Sequence, residues 1–408
     1  MSVRRGVLAL LALFCLAGCG APIAGQPAAP EQALTIALWD YDKISYDRRL
    51  VEAFEKTHPG VRVRVASYPD AYYDQKMESL LVGGKQVDVF FTRTTASLKR
   101  LYEYGAAWPL DSLLDEYGMD LAGSPDLEAM RYGGQLYGVP YRRDHYVLVY
   151  NCDLFDRAGV EYPGPAPTWE QVHALSRQLQ PELGEEEYAL MVLPMDIQWV
   201  ASGRAGAVQT AESLRPILEL LVQMQEEGTA PAYGDCIARD IQQQCFELGT
   251  YGMYVGGTWY LNYLMTDEKA GRFDFRWGVT AAPGWEQGGS GADTVILSGM
   301  GICRQSRDKA LAWEFIRFAT GAEGARIMAE EQMMPAYMDE EIAEVYRQSF
   351  AGDFLDPAVY RQRAPLPGGG DTSAASQVLC EAFRQCMLGW KTVDEAIADA
   401  DRRLRALK

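Results

Sequence analysis

The sequence predicts an α/β protein with room for two lobes. Three observations predict it. Strand-like and helix-like segments alternate from residue 34 onward, and a second alternating set follows the first. The chain has 408 residues, 48% of them hydrophobic, which suffices for two cores of ordinary size. Residues 34–39 (LTIALW) are a run of strand formers. Residues 47–57 follow as a helix with Leu50, Ala53 and Phe54 on one face. Val61, Val63 and Val65 alternate with Arg62 and Arg64, the pattern of a half-buried strand. A helix through 75–82 ends at Gly83 and Gly84, and 87–91 (VDVFF) reads as a buried strand. This order implies a mostly parallel sheet with helices on both faces.

The second set opens with 146–150 (YVLVY), a strand rich in β-formers. Thr168 and Gln171 form a capping box that starts a helix. Leu214, Ile217, Leu218 and Leu221 mark another helix, stopped near Gly228. Residues 253–255 and 295–297 are short strand signals. Leu311, Phe315, Phe318 and Ala319 make a helical stripe, with Ser306 as its N-cap. A last helix opens with the capping box of Thr392 and Glu395. Breaks rich in Gly and Pro fall at 163–167, 283–291 and 364–370, and no internal repeat is visible.

The N-terminus carries an export signal. Arg4 and Arg5 precede an apolar, uncharged stretch, 6–16, and then small residues lead to Cys19. The stretch is shorter than the roughly 20 apolar residues of a spanning helix. Residues 16–19 (LAGC) resemble the lipobox of bacterial lipoproteins. That resemblance implies removal of 1–18, palmitate-type acylation of Cys19 and a lipid anchor, which two chains make stable. Residues 19–32 then serve as a flexible tether.

Formal charge is −18, and loss of Arg4 and Arg5 makes the mature chain more acidic still. That acidity argues against a nucleic-acid partner, which needs a basic face. Six cysteines remain beyond Cys15 and Cys19: Cys152, Cys236, Cys245, Cys303, Cys380 and Cys386. They are too few for a disulfide scaffold, yet an oxidising compartment permits pairs, with Cys236 and Cys245 the best-placed local pair. Cys380 and Cys386 point about 240° apart on a helix and do not face each other. There is no CxxC, and His58, His145 and His173 lack partners at ligand spacing, so no metal and no cofactor is expected.

Several stretches, in order, resemble a known family. They are 34–39, FEKTHPGVRV (54–63), DVFF (88–91), GQLYGVP (134–140), VYNCDLFDRAGV (149–160), PTWE (167–170), GGTW (256–259), GVTAAPG (278–284) and ALAWEFIRF (310–318). The chain resembles the family 1 extracellular solute-binding proteins of ABC importers, the group that includes the maltose-binding protein. The resemblance implies the two-lobed type II periplasmic-binding fold with discontinuous lobes: 33–140 plus 280–335, and 141–279 plus 336–408. It implies hinge closure on a sugar or small oligosaccharide and delivery to membrane permease subunits, by a monomer held at the outer cell surface or in a periplasm. A non-sugar solute (polyamine, anion or peptide) and a sensing role beside a membrane receptor stay open as alternatives.

Ligands of open α/β sheets lie beyond the carboxyl ends of strands. That rule points to Asp40, Tyr41 and Asp42 after the first strand, and to Thr92, Arg93 and Thr94 after 88–91. The resemblance adds Asp144 as a ligand-contacting acid, and Trp259, with Tyr260 beside it, as a sugar-stacking aromatic. Trp199 is a further stacking candidate for the opposite wall. A pyranose packs its C–H face on an aromatic ring and its hydroxyls on groups such as Asp and Arg. Each of these side chains also has a plain reading as packing, capping or a salt bridge. Tyr72 and Tyr73 read as a helix face, and 368–372 has neither the Lys nor the preceding strand of a phosphate loop. No GxSxG or HExxH occurs, and the SxxK of Ser306 to Lys309 opens a helix, so no enzyme is expected.

Overall fold

The computed structural model describes residues 32–121, 123–193, 210–285, 295–350 and 374–407. The leader, Cys19, the tether before Gln32, Trp199 and 368–372 lie outside the described residues. Among the described residues the strands are β1 Gln32–Trp39, β2 Val61–Tyr68, β3 Val89–Thr92, β4 Arg131–Tyr132, β5 Gln135–Leu136, β6 Val139–Asp144, β7 Tyr146–Asn151, β8 Tyr188–Met191, β9 Tyr251–Gly257, β10 Trp277–Ala281 and β11 Ile296–Ile302. They build two main sheets, in the orders β2-β1-β3-β11-β6 and β10-β7-β9-β8, and the small β4-β5 hairpin. In the first sheet β11 runs against its neighbours β3 and β6, while β2, β1 and β3 are parallel. In the second, β7 runs against β10 and β9, and β8 lies parallel to β9. The expected α/β architecture is therefore present, but its sheets are mixed rather than mostly parallel: three of the seven strand pairings in the main sheets are parallel and four antiparallel.

Why the second sheet is stable follows from alternation. Leu148 and Tyr150 of β7 enter one core, with helices Trp169–Leu179, Arg215–Glu226 and Ala374–Met387. Val147 and Val149 enter the other, with helices Thr258–Lys269 and Glu340–Ser349. Successive side chains of a strand point to opposite faces, so a continuous apolar run is buried on both. The first lobe has its own core beneath β1, β3, β6 and β11.

The chain crosses between sheets at His145, between β6 and β7, and again after Ala281. Both crossings come a few residues later than the expected boundaries at 140/141 and 279/280. β6 hides its strand character in the sequence because it carries Pro140 and the charged run 142–144. Its charges are paired internally, Arg142 with Asp144 and Arg143 with Asp126. Pro140 lies where the register with β11 shifts between Ser298 and Gly299, a bulge that tolerates the missing N–H. A third connection follows helix Ala322–Glu330, where Met334 and Ala336 hydrogen-bond to Arg143 and Tyr141 of β6.

Both predicted capping boxes form, at Thr168/Gln171 and Thr392/Glu395. One N-cap differs. Asp308, not Ser306, caps helix Lys309–Thr320 through the Leu311 N–H at 2.9 Å, because Ser306 donates its hydroxyl to buried Asp88 at 2.7 Å.

Candidate functional site

The first-lobe candidates gather at the carboxyl ends of β1 and β3. Asp40 leaves β1 at φ 47°, a left-handed backbone that is uncommon for a residue with a Cβ. The turn is held because Lys43 and Ile44 both donate N–H to the Asp40 carbonyl. Tyr41 is half-buried against the first core and its N–H donates to Ser67 Oγ at 3.1 Å. Burial and the Asp47 charge raise its phenol pKa. Asp42 is exposed and its carbonyl accepts from Arg48.

Structural work occupies the residues after β3. Thr92 is buried and donates to the Gly299 carbonyl at 3.2 Å. Arg93 reaches Asp70 and Asp74, each at 3.0 Å. Thr94 caps helix Thr95–Glu103 through Ser97 N–H. Tyr73 is buried and its hydroxyl lies 2.8 Å from the carbonyls of both Ala37 and Phe91, while its neighbour Tyr72 is 68% exposed.

Asp144 sits at the first crossing and is 1% exposed. Its carboxylate meets Arg142 Nε at 2.6 Å and accepts from Thr258 Oγ1 at 2.9 Å. Burial pushes its pKa up, and Arg142 and Thr258 pull it back. Arg142 is itself buried, 3.1 Å from Tyr46 Oη and 3.3 Å from Ser298 Oγ, and lies over the Trp39 ring. Thr258 also bonds His145, its N–H donating to the His145 carbonyl at 2.9 Å. The acid singled out from the sequence thus joins β6, the crossing and the helix Thr258–Lys269, and holds two protein partners of its own.

That helix forms the second wall. Trp259 and Tyr263, one turn apart, are its two half-buried aromatics, and both pack against the first core and the third. The Trp259 indole N–H donates to Gln243 Oε1 at 3.1 Å, and Tyr146 meets the ring edge-on at 5.7 Å. Tyr263 packs against the first core, and its pKa is raised by burial, then by Tyr46 and Asp40. Tyr260 does not share this face. Adjacent helical residues diverge by about 100°, so its ring is 0% exposed inside the third core, with its hydroxyl donating to Glu247 Oε1 at 3.2 Å. Tyr260 therefore leaves the candidate site. Tyr263, Tyr146 and Gln243 enter it; the i, i+4 spacing from Trp259 was the one signal for Tyr263.

Other chemistry is sparse. Among the described residues no three His, Cys, Asp or Glu side chains cluster for a metal. Cys152, Cys236, Cys245, Cys303, Cys380 and Cys386 are free thiols, Cys236 and Cys245 included. Lys309 Nζ bonds the Ser306 carbonyl, not its hydroxyl, and lies over Trp108, which is no nucleophile–base arrangement. No described helix is long and apolar enough to cross a membrane.

The chain matches the family model of the bacterial extracellular solute-binding proteins over residues 42–326. The chain belongs to this family. A protein of Brucella abortus named as a binding protein is 23% identical over 426 residues, covering 99% of this chain and 98% of that one. The arabinooligosaccharide-binding protein of Bacillus subtilis is 21% identical over 346 residues, covering 79% of this chain and 77% of that one. Among solved structures, a sugar transporter from Rhizobium etli in an open conformation aligns at TM-score 0.74 and 25% identity, covering 92% of this chain and 100% of that one. The family is one of extracytoplasmic binding proteins rather than enzymes, and this solute-binding protein shares its two-lobed fold.

Proposed function

We propose that this solute-binding protein captures a neutral sugar or small oligosaccharide between its lobes and closes about the hinge at His145. It then presents the closed form to the permease of an ABC importer while tethered by acylated Cys19. One observation supports the reading: Trp259 and Tyr263 stand half-buried on one helical face, packed against the first core and the third. An aromatic wall facing carboxylate and phenol groups suits a ring with an apolar C–H face and a hydroxyl rim. The carbohydrate named for the Bacillus subtilis relative supports the same class.

Closure on a ligand requires that the ligand bind the closed state better than the open one. A thermal-shift panel of maltose, maltotriose, arabinotriose and lactose tests capture. At 100 times its Kd, a binding sugar stabilises the fold by about 2.7 kcal/mol. Trp259→Ala is expected to cut affinity at least about tenfold, which at the same sugar concentration lowers that stabilisation, measured against the variant's own sugar-free melting point, to about 1.4 kcal/mol or less. A full shift in Trp259→Ala would remove the aromatic wall from the reading. Cys19→Ser is expected to release the protein from membranes into the soluble fraction.

A further inference from the structure

The indole of Trp259 is held from three sides. An indole has a single donor, its N–H, and here that donor is taken by Gln243 Oε1 at 3.1 Å. Because the indole nitrogen can only donate, the Gln243 amide must turn its oxygen toward the ring. Gly257 lies directly against the six-membered edge, where an added Cβ would come within 2.0 Å of Trp259 Cζ3. Tyr146 meets the ring at 73°.

The support beneath Gln243 is firm. Gln243 opens the 3-10 segment Gln243–Leu248, and Phe246 of that segment is fully buried in the third core. Phe246 packs edge-on to Phe275, and the segment's end at Gly249 accepts from Asn151 Nδ2. Glu247 of the same segment receives the Tyr260 hydroxyl at 3.2 Å. One short segment therefore grips two successive residues of the helix Thr258–Lys269, one on its cleft face and one on its core face.

We infer that Gln243 is a positioning residue: it fixes the Trp259 ring and removes the indole donor from the ligand's reach, so the wall selects neutral solutes with a C–H face. This rests on the proposed role of Trp259. A carboxylate or phosphate gains most from a donor, and this ring has none to give. A pyranose gains from an immobile flat surface, because ring ordering is then not charged against binding.

The test uses the full-length protein, lactose and maltotriose as neutral probes, and galacturonate as the anionic probe. The Trp259 indole resonance is assigned in a proton–nitrogen spectrum by its loss in Trp259→Phe. Gln243→Leu is expected to shift that resonance and to weaken the better neutral probe about three- to tenfold, the range of one lost hydrogen bond. Gln243→Glu, which keeps an acceptor, is expected to restore both. An indole resonance unmoved by Gln243→Leu would overturn the inference whatever the sugar does. So would wild-type affinity in Gln243→Leu alongside lost affinity in Trp259→Ala. Galacturonate outcompeting both neutral sugars would overturn the donor argument. Wild-type affinity in Trp259→Ala would instead remove the proposed function's wall, a distinct failure.

Discussion

Asp47 is a carboxylate enclosed in the first lobe on helix Ser45–Thr57. It is buried, and its Oδ1 has no hydrogen-bond partner. Burial lifts its pKa to about 7, against the opposing charges of Arg142 and Arg48. The sign of its effect follows from linkage. Between about pH 4 and 7 the folded protein holds this proton more tightly than the unfolded chain, so stability falls as pH rises through that window. Glu247, raised to about 7 chiefly by burial, adds in the same direction. Urea unfolding midpoints are expected to fall from pH 5 to pH 7.5, and Asp47→Asn is expected to flatten that fall. A wild-type midpoint that rises over the window would contradict the assignment.

Asp144 belongs to the same scale. Replacing it by Asn leaves the Arg142 guanidinium buried without its counter-charge. The cost is about 3–5 kcal/mol for breaking a buried pair from one side. A denaturation midpoint unchanged in Asp144→Asn would show that Arg142 does not depend on this partner. Its position in the sequence, flanked by two arginines, signalled an ion pair as clearly as a ligand contact. Only burial distinguishes the two.

At the scale of elements, strands with alternating or continuous β-branched residues were legible: β1, β2, β3, β7 and β9 fall where the pattern places them. β6 was not, since a Pro and three consecutive charges contradict strand composition unless the charges are paired in three dimensions. The helix Thr258–Lys269 was not legible either, although it carries the aromatic wall. Tyr260, Leu261, Asn262, Leu264, Met265 and Asp267 are all buried, so both of its sides pack and no single apolar stripe appears. It also starts at Gly257 without a side-chain cap, leaving no start signal. Thr258 instead supports Asp144 and the His145 backbone. Thr258→Ala is expected to cost about 1–3 kcal/mol, because a buried carboxylate oxygen loses its donor. Chemical denaturation of the variant measures this directly.

For the molecule as a whole, the two-lobed plan was readable from length, alternation and the ordered motifs, because each sheet is built from local strand and helix signals. What the sequence did not carry is how side chains from residues 39–47, 142–146 and 243–263 meet. Those segments are brought together only when the chain crosses between sheets. The buried Arg142–Asp144–Thr258 chain lies at that crossing and links β6 to the helix Thr258–Lys269. Under the proposed function, ligand contact falls to the groups that are only half-buried: Tyr41 and Asp40 on one lobe, Trp259 and Tyr263 on the other.

Hydrogen exchange read by mass spectrometry, with and without a saturating sugar from the panel, puts that arrangement to its hardest test. Slowed exchange is expected at once in peptides spanning 40–46 and 243–263, which lie on different lobes. Protection confined to one of the two segments, with the sugar demonstrably bound, would contradict capture between the lobes.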